Sequence, residues 1–172
     1  MILGDVLNGH FIKEIVQDKN RIISCLEIKR SNPFNPWSKL VSSNDLTTTV
    51  AKNIIEGTGN SNETTFIAIS AAGVRESISS TNLLMKVLIP NSNIRFAYKD
   101  LENMEDVLSN SSLNGLAVHL VTLINGSGKK AIKLIDFYKL TSVISRANVA
   151  KRMLDQVDKK KAYFNHVQMI AE

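Results

Sequence analysis

Four residues in the C-terminal third of the chain, Asn125-Gly126-Ser127-Gly128, constrain the fold more than any other part of the sequence. They separate two segments rich in β-branched and aliphatic residues, at 116–124 and 130–140. Asn-Gly readily adopts the positive backbone φ angles that a tight turn between two antiparallel strands requires. The sequence therefore predicts a β-hairpin at this position.

Two further pairs of strand-like segments have connections of hairpin length. Residues 11–17 and 21–30 flank the turn-like Asp18-Lys19-Asn20, and residues 82–89 and 93–98 lie close together in the chain. Apolar and polar residues alternate along part of residues 21–30, as in a half-buried strand. Because strands joined by short turns pair antiparallel, we expect a mainly antiparallel sheet.

Three other segments have the apolar spacing of amphipathic helices. They lie at 43–57, at 100–108, which begins with acidic residues, and at 142–158. Residues 64–72 are β-branched and apolar and are predicted to form a central strand.

These elements predict an α+β fold with a mainly antiparallel sheet packed by about three helices. A chain of 172 residues with 44% hydrophobic composition fits one domain. We therefore expect a single domain over 1–172, with a basic C-terminal helical region at about 142–172.

The positive charge of the chain is concentrated at its C-terminal end. Residues 1–128 carry 11 Lys and Arg against 12 Asp and Glu, whereas residues 129–172 carry 10 against 4. A basic segment on a neutral body favours docking to an anionic partner, such as nucleic acid or a membrane surface. The basic residues predicted to contact that partner are Lys129, Lys130, Arg146, Lys151, Arg152, Lys159, Lys160 and Lys161. Tyr163 and Phe164 follow the lysines and are candidates for stacking on bases.

The predicted last helix also carries an apolar seam with spacings of 4, 3, 4 and 3 residues. Its members are Val143, Ala147, Ala150, Leu154 and Val157. A seam of this kind packs on the protein's own sheet or on a second copy of the chain, and the pattern leaves both alternatives open. The second alternative predicts a homo-oligomer.

No segment carries a recognisable catalytic, metal-binding or cofactor-binding motif, so we expect no metal and no cofactor. Gly57-Thr-Gly59 follows a helix, which is the wrong order for a dinucleotide-binding turn, and Lys130 stands where a phosphate-binding loop requires Ser or Thr. His119 lies in an apolar strand and Cys25 in an apolar run, and both are expected to be buried structural residues. The carboxylates at 100–106 are expected to be solvated.

Three functional hypotheses follow, and the first is preferred. In the first hypothesis, the chain is a non-catalytic, self-associating assembly protein of viral or phage matrix or capsid type. It would bind an anionic surface through its basic C-terminal region. The second is a protein–protein adaptor or inhibitor, docking through the last helix or through a Pro-rich loop with two exposed anchors, Phe34 and Trp37. The third is an enzyme whose site assembles in space around His119, with Cys25 or a carboxylate. The absence of a signal-like or membrane-spanning run predicts an intracellular location.

Overall fold

The computed structural model describes residues 1–158, 163 and 166–172, with Glu76 and His166 described by their backbone only. Its α-helices span Gly9–Val16 (α1), Leu46–Gly57 (α2), Leu83–Leu88 (α3), Ile94–Ser109 (α4) and Arg146–Val157 (α5), and a 3₁₀ helix spans Arg75–Ile78. The strands span Arg21–Ser24 (β1), Thr65–Ala71 (β2), Asn114–Leu120 (β3), Thr122–Ile124 (β4), Lys133–Leu134 (β5), Val143–Ser145 (β6) and His166–Ala171 (β7).

The main sheet has the strand order β1-β2-β3-β7-β5. Strands β1, β2, β3 and β7 are parallel, and only the short β5 is antiparallel to its neighbour. The prediction of an α+β fold with a mainly antiparallel sheet is therefore wrong. The protein has a Rossmann-like α/β fold, because helices rather than turns connect its neighbouring parallel strands.

Three segments that were predicted to be strands are helical. Residues 11–17 fall largely in α1, residues 82–89 in α3 and residues 93–98 in α4. Helices α1 and α3 begin where an asparagine side chain caps the first turn: Asn8 accepts a hydrogen bond from Phe11 N, and Asn82 accepts one from Met85 N. Asn is a strong helix N-cap as well as a turn former, and here capping prevails.

The Asn125-Gly126 segment does not close an antiparallel hairpin. Strand β3 pairs with β2 and β7, and β4 pairs in parallel with β6. Gly128 has a φ of +66°, and a Cβ at this position would lie 2.8 Å from the Cβ of Ala147. The loop therefore packs against the start of α5, and this tertiary contact outweighs the local turn preference.

Other predictions from the sequence are confirmed. The central strand predicted at 64–72 is β2, and the helices predicted at 43–57 and 142–158 contain α2 and α5. His119 is buried as expected, with 0% of its surface exposed. Cys25 is exposed, so the prediction that it is buried is wrong. The assignment of residues 1–172 to one domain stays a prediction.

Hydrophobic clusters cover both faces of the sheet. Phe66 and Ala68 point toward α1, α2 and α4, whereas Ile67 points to the opposite face, where Met153 of α5 packs. Burial on both faces explains why β2 is almost continuously apolar instead of alternating. No helix in the described ranges has the length and apolar character that crossing a membrane requires.

Candidate functional site

A crevice of about 410 Å³ lies outside the carboxyl ends of β1, β2 and β3. Its walls come from the loop after β1, from Ala71 and Ala72 at the end of β2, and from residues 120–123 after β3. Tyr98 of α4 and Tyr138 close its sides. In parallel α/β sheets, ligands bind in the crevice at this end of the strands. The volume falls within the range of small-molecule sites, which makes this crevice the main candidate site.

The walls of the crevice are mostly apolar, and four hydroxyl groups line it. Two of them have their protons committed: Tyr98 donates to the carbonyl oxygen of Ala72 over 2.9 Å, and Ser70 donates to Glu105. Burial raises the pKa of Tyr98 above its usual value, so this phenol keeps its proton.

The other two hydroxyl groups form a pair. Thr122 Oγ1 and Tyr138 Oη lie 2.8 Å apart, and either can donate to the other. Thr122 is exposed, whereas Tyr138 is buried. The pair therefore links a buried phenol in the crevice wall to solvent, which is the arrangement needed to deliver a proton and then replace it.

Two charged side chains, Glu27 and Arg30, also line the crevice. The Arg30 guanidinium donates to the carbonyl oxygens of Asn35 and Pro33, over 2.8 and 3.0 Å. These bonds tie the Pro-rich loop to one wall of the crevice.

Within this Pro-rich loop, the two predicted anchors differ in their surroundings. Phe34 is 95% exposed, whereas Trp37 is 61% exposed and its indole N–H donates to the carbonyl oxygen of Asn91. The docking role of Phe34 and Trp37 stays a prediction.

A buried polar network lies directly behind the crevice. In the sheet register Ser70 is opposite His119, one position before the wall residues Ala71 and Leu120. His119 Nε2 is 2.7 Å from Glu105 Oε1, and its Nδ1 is 3.1 Å from Ser77 Oγ. The network joins β2, β3, α4 and the 3₁₀ helix at the level of the crevice floor.

Ser77 ties His119 to the turn that follows β2. Its Oγ donates to the Val74 carbonyl oxygen over 2.6 Å and accepts from Gly73 N, and the same oxygen faces His119 Nδ1. Glu105 and Asp100 are both buried, so the prediction that the carboxylates at 100–106 are all solvated is wrong.

Those of the predicted basic residues that the structure describes do not line the crevice. Lys129 and Lys151 are exposed, Lys130 Nζ lies 3.7 Å from Glu172, and Arg146 donates to Asn125. Arg152 donates to Gln168. Lys159, Lys160, Lys161 and Phe164 lie outside the described residues, and Tyr163 is buried with its hydroxyl donating to Gln156. The positions of the described residues do not test whether the predicted basic and aromatic residues bind a polyanion.

The predicted apolar seam is divided between different environments. Val157 is buried and Val143 lies in β6, whereas Ala147, Ala150 and Leu154 are exposed. The side of α5 that packs on the sheet carries Val149, Met153 and Val157 instead. Self-association through the seam stays a prediction.

Sequence reasoning missed Tyr98, Thr122 and Tyr138 because each comes from a different segment, and only the sheet topology brings them together. One signal was available for the location of the site. Strand β2 is apolar except for Thr65 and Ser70, and it leads into the small residues Ala71-Ala72-Gly73. A nearly continuous apolar run is typical of a parallel strand that is buried on both faces, and ligands bind at the carboxyl ends of such strands.

Comparisons with known proteins agree with this geometry. A family model described as NAD(P)H-binding matches residues 1–160. ChuY from Escherichia coli, described as an anaerobillin reductase, superposes with a TM-score of 0.72 over 98% of this chain and 73% of its own, at 14% identity. A short-chain dehydrogenase/reductase from Veillonella parvula, solved in complex with NADP, has a TM-score of 0.70 over 99% and 71%, at 18% identity. No curated protein sequence matches the chain.

The family match overturns the preferred functional hypothesis. The partner it indicates is NAD(P)H, so the prediction of a nucleic-acid-binding, non-catalytic assembly protein of matrix or capsid type is wrong. The prediction that the chain is not an enzyme is also wrong, because the match is to an NAD(P)H-binding family, and the third hypothesis, an enzyme with a spatially assembled site, is favoured instead. Over residues 1–160, the chain belongs to the NAD(P)H-binding family.

Proposed function

We propose that the protein is an NAD(P)H-dependent oxidoreductase, and that the crevice receives the nicotinamide end of the cofactor beside an organic substrate. The observation that carries this proposal is the position of the crevice at the carboxyl ends of three parallel strands, with the Thr122–Tyr138 hydroxyl pair in its wall. Two similar structures support this reaction class, one described as a reductase and the other solved with NADP.

The crevice fits the ring end of the cofactor. Leu26, Val121 and Leu123 offer apolar surface against which a flat ring would pack, and the hydroxyl groups offer polar partners for its substituents. The pyrophosphate has no corresponding loop, because the sequence contains no Gly-x-Gly-x-x-Gly segment. The described parallel strands also follow chain order across the sheet, without the reversal at which dinucleotides bind. The described residues therefore fit the nicotinamide half and not the pyrophosphate.

When bound, NAD(P)H supplies a hydride to the substrate. Reduction also requires a proton, and this chain offers one at Tyr138 Oη. After Tyr138 donates its proton, Thr122 can replace it from solvent, since the two oxygens are 2.8 Å apart and Thr122 is exposed. Tyr98 and Ser70 instead act as wall residues, because their protons are held by Ala72 and Glu105.

Titration with the two halves of the cofactor tests this proposal. We expect calorimetry to show that reduced nicotinamide mononucleotide binds more tightly than adenosine monophosphate. Leu123→Trp, which fills the crevice, is expected to weaken binding of the nicotinamide half at least about tenfold, a loss of roughly 1.4 kcal/mol. Leu134→Trp makes the same change at an exposed position outside the crevice and should have no effect.

Two results would argue against the proposal. One is equal affinity for the two half-molecules. The other is an unchanged affinity for the nicotinamide half in Leu123→Trp, provided that the circular dichroism spectrum of this variant matches the wild type.

A further inference from the structure

A second cavity of about 600 Å³ lies on the other side of Tyr98 from the crevice. It is formed by the 3₁₀ helix, the C-terminal end of α3 and the first turns of α4. Tyr98 lines both cavities, and its hydrogen bond to Ala72 holds the ring between them. The second cavity is therefore a separate space that the proposed oxidoreductase function does not use.

The interior of this second cavity is apolar. Val74 and Ile89 are buried residues that line it, and Ile78 and Phe96 are partly buried beside them. An apolar surface of this kind gains free energy when an apolar group replaces water. The cavity thus favours a ligand with an apolar body.

Cationic side chains surround this apolar interior. Arg75, Lys86, Arg95 and Lys99 line the second cavity, and among the side chains that the structure describes Glu102 is the one carboxylate beside them. Such an excess of one charge at a concave surface attracts ligands of the opposite charge.

Two of these four cations are paired with carboxylates. Arg75 Nη1 is 2.6 Å from Asp106 Oδ1, and Lys99 Nζ is 2.8 Å from Glu102 Oε2.

The other two cations have no carboxylate partner among the residues whose side chains the structure describes. Lys86 Nζ donates to the carbonyl oxygen of Ser79 over 3.0 Å, and the Arg95 guanidinium lies 4.8 Å from the centroid of the Phe96 ring. Lys86 comes from α3 and Arg95 from the first turn of α4, so they approach the cavity from two elements. Each retains donors for an anion, since an ammonium has three N–H groups and a guanidinium five.

We propose that the second cavity binds an amphipathic anion, a molecule with an apolar body and a carboxylate, sulfonate or phosphate group. The body occupies the apolar interior, and the anionic group is held by Lys86 and Arg95. A neutral apolar molecule would leave both charges without a counter-charge, and an inorganic anion would leave the interior hydrated. The apolar interior and the two cations together therefore favour a ligand that has both an apolar body and an anionic group.

Two naphthalene dyes that differ in charge test the proposal. We expect the anionic 8-anilinonaphthalene-1-sulfonate to bind at least about tenfold more tightly than the neutral N-phenyl-1-naphthylamine, measured by fluorescence titration. Binding of the anionic dye should weaken as salt is raised, because the cations at the cavity are exposed.

Variants locate the dye. The double substitution Lys86→Ala and Arg95→Ala is expected to raise the dissociation constant of the anionic dye at least about tenfold, and Ile78→Trp should block both dyes by filling the cavity. Lys133→Ala with Lys139→Ala removes two exposed charges elsewhere and should leave binding unchanged. Equal affinity for the two dyes, or anionic-dye binding that survives the double substitution but is lost in Leu123→Trp, would overturn the proposal.

Discussion

Replacing Asp100 with alanine is expected to lower the free energy of unfolding by about 3 kcal/mol, and the unfolding temperature by about 6–12 °C. Asp100 is a buried residue of α4, yet its carboxylate caps the first turn of α2. It accepts hydrogen bonds from Thr47 N at 2.8 Å and Thr48 N at 3.0 Å, and from both threonine hydroxyls. Alanine would leave these buried donors unpaired and remove a negative charge from the positive end of a helix.

Asp45 provides the matched control for this prediction. Its position in the sequence makes it the N-cap of α2, but its side chain makes no capping hydrogen bond. Its carboxylate instead accepts hydrogen bonds from the hydroxyls of Ser43 and Thr49. Thermal unfolding followed by circular dichroism should therefore show that Asp45→Ala changes the midpoint by no more than about 2 °C. A larger drop in the unfolding temperature for Asp45→Ala than for Asp100→Ala would show that Asp100 is not the cap of α2.

Replacing Glu105 with leucine is expected to destabilise the protein by about 3–5 kcal/mol. The Glu105 carboxyl group is buried, and its Oε1 lies 2.7 Å from His119 Nε2 and accepts a hydrogen bond from the Ser70 hydroxyl. Leucine would leave both of these buried polar groups without their partner. Urea denaturation of the variant and the wild type measures the loss.

A second substitution distinguishes this buried polar pair from ordinary packing. Adding His119→Phe to Glu105→Leu removes the ring nitrogens that the single variant leaves unpaired, so we expect the double variant to recover about 2 kcal/mol relative to the single variant. Glu102→Ala, which breaks an exposed ion pair on the same helix, should cost less than about 1 kcal/mol. If the effects of the two buried substitutions were simply additive, the coupling of His119 to Glu105 would be disproved.

The elements that could be predicted from the sequence are those whose signal is local. The apolar run at 64–72 and the periodic helices α2 and α5 carry their own pattern, and the structure contains all three. Helices α1 and α3 could not be separated from strands on composition alone, because they are short and rich in β-branched or aliphatic residues. Their asparagine caps, Asn8 and Asn82, were the only local indication.

The parallel topology was the decisive feature that local reasoning could not supply. The sequence prediction assumed that neighbouring strands were joined by turns, and it placed the start of α4, at 93–98, in a strand. The helix predicted at 100–108 lies within α4, and extending it back to residue 94 would have removed one of the predicted hairpins. The site depends on the same feature. Tyr98, Thr122 and Tyr138 are separated by up to 40 residues and meet only because β2 and β3 run in parallel and end at the same edge.

The sequence did indicate one part of the site region. His119 beside a carboxylate was part of the enzyme hypothesis, and the structure places His119 against Glu105. The pair lies behind the crevice rather than in it, because His119 points to the α4 side of the sheet while Leu120, the next residue, lines the crevice. The alternation of side chains along a strand thus separates the structural pair from the ligand site by one residue.

The most direct test of the proposed function is a crystal structure of the protein soaked with NADPH. The account predicts that the nicotinamide ring lies in the crevice at the carboxyl ends of β1, β2 and β3, in contact with Leu123. A nicotinamide ring bound anywhere else, including the basic cavity beyond Tyr98, would contradict it.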